Sequence, residues 1–106
     1  MEAIIGIINQ VHEVNQKLET KGDLINVSRN ISRIKHHLEE LGYTFHNPIN
    51  EDYNDTRTDC EANIIGDFTE GKMYISKVIK PIIFTETNNA PNIIQKAVVI
   101  VEQKPE

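Results

Sequence analysis

The side chains able to do chemistry are few and scattered. Histidine occurs at His12, His36, His37 and His46, and a metal site would need such ligands to converge on one point. His36 and Glu40 stand four apart, which brings two ligands to one helix face. The adjacent His37 points to another side, and no spaced Cys/His pair completes a tetrahedral set. The histidines therefore read as surface helix residues, and no metal ligand is expected. Cys60, the single cysteine, has Asp55, Asp59 and Glu61 near it in sequence. Negative charge raises a thiol's pKa and suppresses the thiolate, so Cys60 reads as a small residue packed at the start of a strand. Glu51, Asp52, Asp55 and Asp59 offer oxygen ligands to a hard cation, but not in the Asp-x-Asp-x-Asp-Gly spacing closed by a bidentate Glu. They read as a solvated acidic loop. None of the 5 glycines belongs to a Gly-x-Gly-x-x-Gly or Walker-type loop. No catalytic residue and no cofactor is expected; a small enzyme would require histidines or carboxylates that meet in a pocket.

Charge narrows the partners. Residues 1–42 carry five Lys/Arg and six Asp/Glu, residues 43–70 one and seven, and residues 71–106 five and three. An acidic middle with only Arg57 against it repels phosphate backbones, and no basic stripe interleaved with aromatics occurs, which disfavours nucleic acid. No apolar run approaches the roughly 18–20 residues of a membrane span. The apolar start Met1 to Ile8 has neither a basic leader nor a small-residue cleavage site. A lone cysteine cannot form an internal disulfide, and together these features point to a cytoplasmic protein.

The elements that must position these groups are written in two periods. Ile4, Ile7, Val11, Val14 and Leu18 alternate steps of three and four, the 3.5-residue repeat of a coiled-coil seam. Lys17 and Lys21 suit the negative end of a helix, Gly22 permits a stop, and Asp23 can cap a second helix. That helix repeats the seam at Leu24, Val27, Ile31, Ile34, Leu38 and Leu41. It is expected to end at Gly42, with Tyr43 folding back on Leu38. So tight a joint predicts an antiparallel hairpin over 1–42.

From residue 43 the pattern changes to period two, and 43–106 reads as a small, mainly antiparallel β domain. Asn47-Pro48 marks a turn and Asn50 to Asp59 a polar loop. Strands are expected over Cys60 to Ile65, Met73 to Phe84 with Pro81 at an edge, bulge or break, and Ile93 to Glu102. Thr85 to Asn92 reads as a connection. The fold class is thus α+β. Six aromatics, Tyr43, Phe45, Tyr53, Phe68, Tyr74 and Phe84, all fall in the second half and supply bulk for the β core.

Ile5 and Ile8 widen the first helix's stripe to about half its circumference, more than one facing helix covers. Either the chain's own strands or the hairpin of a second copy must cover it. The second solution is a homodimer with a two-fold four-helix bundle, its interface drawn from Ile4, Ile5, Ile8, Val11, Leu18, Val27, Ile31, Ile34 and Leu38.

The order of elements resembles a family. Leu41-Gly42-Tyr43, Asn47-Pro48, Tyr53-Asn54 and Ile94-Gln95-Lys96-Ala97-Val98-Val99-Ile100-Val101 are similar to the C-terminal two-thirds of GrpE, the nucleotide-exchange factors of DnaK-type chaperones. The likeness spans residues 4–102 loosely. Thr58-Asp59-Cys60 and Gln95-Lys96 depart from its usual residues, the Gly-Tyr before the last connection is absent, and the long N-terminal stalk is missing. The resemblance implies a non-catalytic dimer that binds a DnaK-type ATPase chaperone and promotes nucleotide release. Its partner contacts would fall at Pro48, Tyr53, Asn54, Ile94, Gln95 and Lys96. The alternative is a structural or adaptor homodimer with another protein partner and no exchange activity.

Overall fold

A computed structural model describes residues 2–22, 27–66, 71–87 and 89–104. Helix α1 runs Glu2–Lys21, with an acid in its first turn and a base in its last, the charge order that favours the helix dipole. It stops at Gly22, whose φ of 82° suits a residue without a Cβ and whose N–H bonds the Leu18 carbonyl at 2.8 Å. The expected cap Asp23 and the seam residue Leu24 lie outside the described residues. Helix α2 runs Ser28–Glu40, with Val27 in the N-cap position. It closes at Gly42, φ 90°, whose N–H bonds the Glu39 carbonyl at 2.9 Å. Tyr43 then packs on the cluster that holds Leu38. Neither helix is long and apolar enough to cross a membrane.

Among the described residues seven strands follow: β1 Tyr43–His46, β2 Asp52–Tyr53, β3 Cys60–Ile64, β4 Met73–Lys80, β5 Ile82–Thr87, β6 Ala90–Gln95 and β7 Ala97–Gln103. They form two sheets, β1-β5-β6 and β2-β4-β7-β3. All pairs are antiparallel except β3 with β7. The fold class is α+β, two helices with mainly antiparallel strands.

Two expected long strands are each divided between the sheets. Pro81 breaks 73–84, so β4 joins one sheet and β5 the other, because proline has no N–H to continue a ladder. At exposed Lys96 the run 93–102 likewise splits into β6 and β7. The expected connection 85–92 is mostly strand: β5 and β6 pair from Ile83↔Gln95 to Thr87↔Ala90. The short strands β1 and β2 occupy stretches that read as a helix exit and a polar loop.

The core is two clusters that meet in β5. Ile82 packs with Cys60, Ile75, Val78, Ala97, Val99 and Val101, and Phe84 lies against the same group. Ile83, pointing the opposite way as strand alternation requires, packs with Ile8 of α1 and Leu38 of α2. Helices and strands therefore share a core across the Gly42 boundary.

Candidate functional site

The inner side of α1 is fixed by polar groups as well as apolar ones. Asn9, His12 and Gln16, spaced three and four, lie beside the apolar stripe. Asn9 and Gln95 exchange amide hydrogen bonds, Gln95 Nε2 donating to Asn9 Oδ1 at 2.9 Å and Asn9 Nδ2 to Gln95 Oε1 at 3.2 Å. Gln95 Nε2 also donates to the Pro81 carbonyl at 3.0 Å. The Val78 carbonyl, next to a register shift in β4, accepts from Gln16 Nε2 at 2.7 Å and lies 3.3 Å from His12 Nε2. A bulge frees such a carbonyl from its ladder, and the helix supplies the missing donors. His12 is buried, not the surface residue expected from the sequence. It stands four residues after Ile8 on the same inward stripe. Burial pushes its pKa below the ordinary 6.5, against the opposing effect of the Val78 carbonyl.

The outer side of the helix pair is different. Ala3, Gly6, Ile7, Gln10, Val11 and Val14 of α1 line an open groove of about 570 Å³ together with Ile31 and Ile34 of α2. Ile7 is 49% exposed and Ile34 39% exposed, Val14 is exposed with them, and Leu41 at the C-cap of α2 is exposed as well. Nothing lies within 4 Å of a Cβ built on Gly6. The residues expected at a dimer interface divide accordingly. Ile8 and Leu38 are buried with Ile83, and Ile4 and Ile5 pack against that cluster, so the chain's own strands take up the widened stripe. Val11 and Ile31 are buried at the groove floor, Ile34 is exposed on its wall, and Leu18 and Val27 are half-buried. Of the apolar residues lining the groove, Ile7, Val14 and Ile34 stay exposed, and Ile7 and Val14 were not in the expected set.

The acidic loop is not a free solvated segment. Arg57 donates from Nε to Asp59 Oδ1 at 2.7 Å, from Nη2 to Glu51 Oε1 at 2.8 Å, and from Nη1 to the Asp52 carbonyl at 3.0 Å. The guanidinium holds Asp59 below the usual carboxylate range, and Arg57 with His46 does the same for Glu51 against its partial burial. His46, on β1 rather than on a helix, hydrogen-bonds Glu51, and Lys104 pairs with Asp52. Burial pushes the Cys60 thiol up to about 11, so no thiolate forms near neutrality. His36 and His37 both reach Glu40 on the exposed face of α2. Among the described residues no three of His, Cys, Asp and Glu are grouped to hold a metal ion.

Of the six residues that the family resemblance marks as partner contacts, one is buried, three are half-buried and two are exposed. Pro48 is buried, and Tyr53 packs against the core around Ile75. Ile94 packs against Ile8 and Leu38, and the Gln95 amide is committed to Asn9 and Pro81. Asn54 and Lys96 are exposed, and Asn54 holds its own turn by accepting from the Thr56 N–H at 3.0 Å. Compared with known proteins, the chain matches no family model, and no curated protein or solved structure is significantly similar to it.

Proposed function

We propose that this chain is a non-catalytic adaptor that works as a homodimer, two copies bringing their helix pairs together as antiparallel hairpins in a four-helix bundle. The observation that carries this reading is the uncovered apolar groove between α1 and α2. Ile7 and Val14 stand seven apart on α1, and Ile34 of α2 is followed seven residues on by Leu41 at that helix's C-cap, the spacing of knobs that fill matching holes. A two-fold axis sets one such patch against itself. Glycine within a helix costs roughly 0.5–1 kcal/mol relative to alanine. Gly6, with open space above it, suits the close approach of another helix. Glu13 beside the groove on α1 and Arg33 on α2 make no ion pair among the described residues. Laying α1 of one copy along α2 of the other offers each an opposite charge.

The narrower reading, a GrpE-like co-chaperone of a DnaK-type ATPase, would have to act through Asn54 and Lys96, the exposed members of its contact set. The adaptor reading makes no such demand and is the one the geometry supports best. Light scattering tests the dimer, with an expected mass of twice the 12.1 kDa chain. A nucleotide-release assay with a DnaK-type chaperone separates the two roles. The adaptor reading predicts no acceleration at saturating protein, and a large acceleration would replace it with the exchange role.

A further inference from the structure

Among the described residues four strands stand at sheet edges, and three of them are protected. β1 has four residues and α2 packs against it. β2 has two residues, too few to template a partner. β6 carries Pro91, which cannot donate to an incoming strand. β3 has none of these devices: five residues, Cys-Glu-Ala-Asn-Ile, paired to β7 without a register shift and containing neither proline nor lysine.

The direction of its free groups follows from its paired ones. Ala97 N–H bonds the Asp59 carbonyl at 3.0 Å and Ile65 N–H bonds the Val101 carbonyl at 2.9 Å, so the odd-numbered residues face β7. Strand alternation then turns the N–H and C=O of Ala62 and Ile64 outward, and neither residue has a hydrogen-bond partner on that side among the described residues. Beside this open ladder Ile64 is 45% and Ile65 55% exposed. Glu61 is exposed and makes no ion pair among the described residues.

We propose that the free edge of β3 is a strand-addition site for an extended segment of another protein, rich in β-branched residues and carrying a basic residue opposite Glu61. Backbone pairing to Ala62 and Ile64 supplies affinity, and contact with Ile64 and Ile65 selects β-branched side chains. Charge selects the basic partner over a second copy of this chain. Residues 43–70 hold seven acids against Arg57, and pairing β3 with itself would bring two such acidic segments together. None of these residues lines the helix groove, so the site stands or falls apart from the dimer.

The test is amide hydrogen exchange by NMR on the full chain. The probe is a capped hexapeptide, Thr-Val-Lys-Val-Thr-Val. In the free protein the amides of Ala62 and Ile64 exchange faster than those of Glu61 and Asn63; at millimolar peptide they slow by about tenfold or more. Ala62→Pro removes an N–H that no bond among the described residues uses, so it keeps the fold by circular dichroism and abolishes the protection. Ile64→Lys serves as a second blocking variant and carries the comparison should Ala62→Pro lose its fold. Glutamate in place of the peptide's lysine weakens binding about two- to five-fold, and Glu61→Lys reverses that order. The proposal is overturned by unchanged exchange at Ala62 and Ile64, by equal protection from a backbone N-methylated peptide, or by protection that depends on protein concentration alone. The last result would mean that a second copy occupies the edge. Light scattering on the same samples reports the helix-mediated dimer independently.

Discussion

Ile7 and Ile8 are neighbours in sequence and opposites in circumstance. Ile8 is fully buried between α2 and β5, while Ile7 lies half open to solvent on the far side of the same helix. The inner side is finished: apolar contacts are complete, Asn9, His12 and Gln16 meet Gln95 and the Val78 carbonyl, and no buried side-chain polar atom lacks a partner among the described residues. The outer side is apolar and uncovered. Polar pairs shielded from water add little net stability but penalise wrong dockings, because a donor moved off its acceptor is left unsatisfied. An open apolar groove does the reverse, offering free energy to whatever fills it. The first side fixes how the helix sits, and the second carries the proposed assembly.

The sharpest way to break the comparison is substitution on the finished side. Ile8→Ala should cost about 2–5 kcal/mol in urea unfolding, the range for emptying a buried aliphatic site. Ile7→Ala, measured below the dimer's dissociation concentration, should stay within about 0.5 kcal/mol of the parent. Arg57→Ala should cost about 1–3 kcal/mol, because Glu51 and Asp59 lose their shared donor while Cys60 and the strand it starts depend on the same loop. If that variant unfolds like the parent, the Arg57 network is surface decoration.

Acid probes the finished side more gently. The His12 pKa is lowered from 6.5 in the folded chain, so its contribution is full above pH 6.5. It is lost as pH falls below that value, where the unfolded chain binds a proton that the folded chain refuses. His12→Gln, which still offers the Val78 carbonyl a donor, should flatten unfolding free energy against pH in that window. A second decline is expected as pH falls below about 4.5, when Glu51 and Asp59, both held low in the fold, protonate. The smallest effect belongs to the open side. Gly6→Ala should stabilise the monomer by roughly 0.5–1 kcal/mol, since the new methyl meets nothing within 4 Å. Gly6→Leu should fill the groove and weaken self-association.

Both helices were legible because their apolar residues repeat at helical spacing and their ends carry Gly22 and Gly42, each with positive φ in the fold. The strands were legible as β-forming stretches but not as separate elements. Ile75, Val78, Ile82 and Ile83 read as one apolar run, and which sheet each half joins is decided by partners distant in sequence. The Asn9, His12, Gln16 seam was missed because polar helix residues ordinarily face water. Its spacing of three and four beside the apolar stripe was the available signal. Arg57 could likewise have been read as a hub, being the only Lys or Arg among seven acids in residues 43–70. The groove was half visible: the width of the stripe was clear, but Ile4, Ile5 and Ile8 go inward and Ile7 and Val14 stay outside, a partition that only the packing of β5 against α1 decides.

Sedimentation equilibrium of the full chain beside an Ile7→Ser, Ile34→Ser double variant tests the central claim most directly. The account predicts a dimer of twice 12.1 kDa for the parent and a folded monomer for the variant. A parent that remains monomeric at hundreds of micromolar, or a variant that dimerises as tightly as the parent, would contradict it.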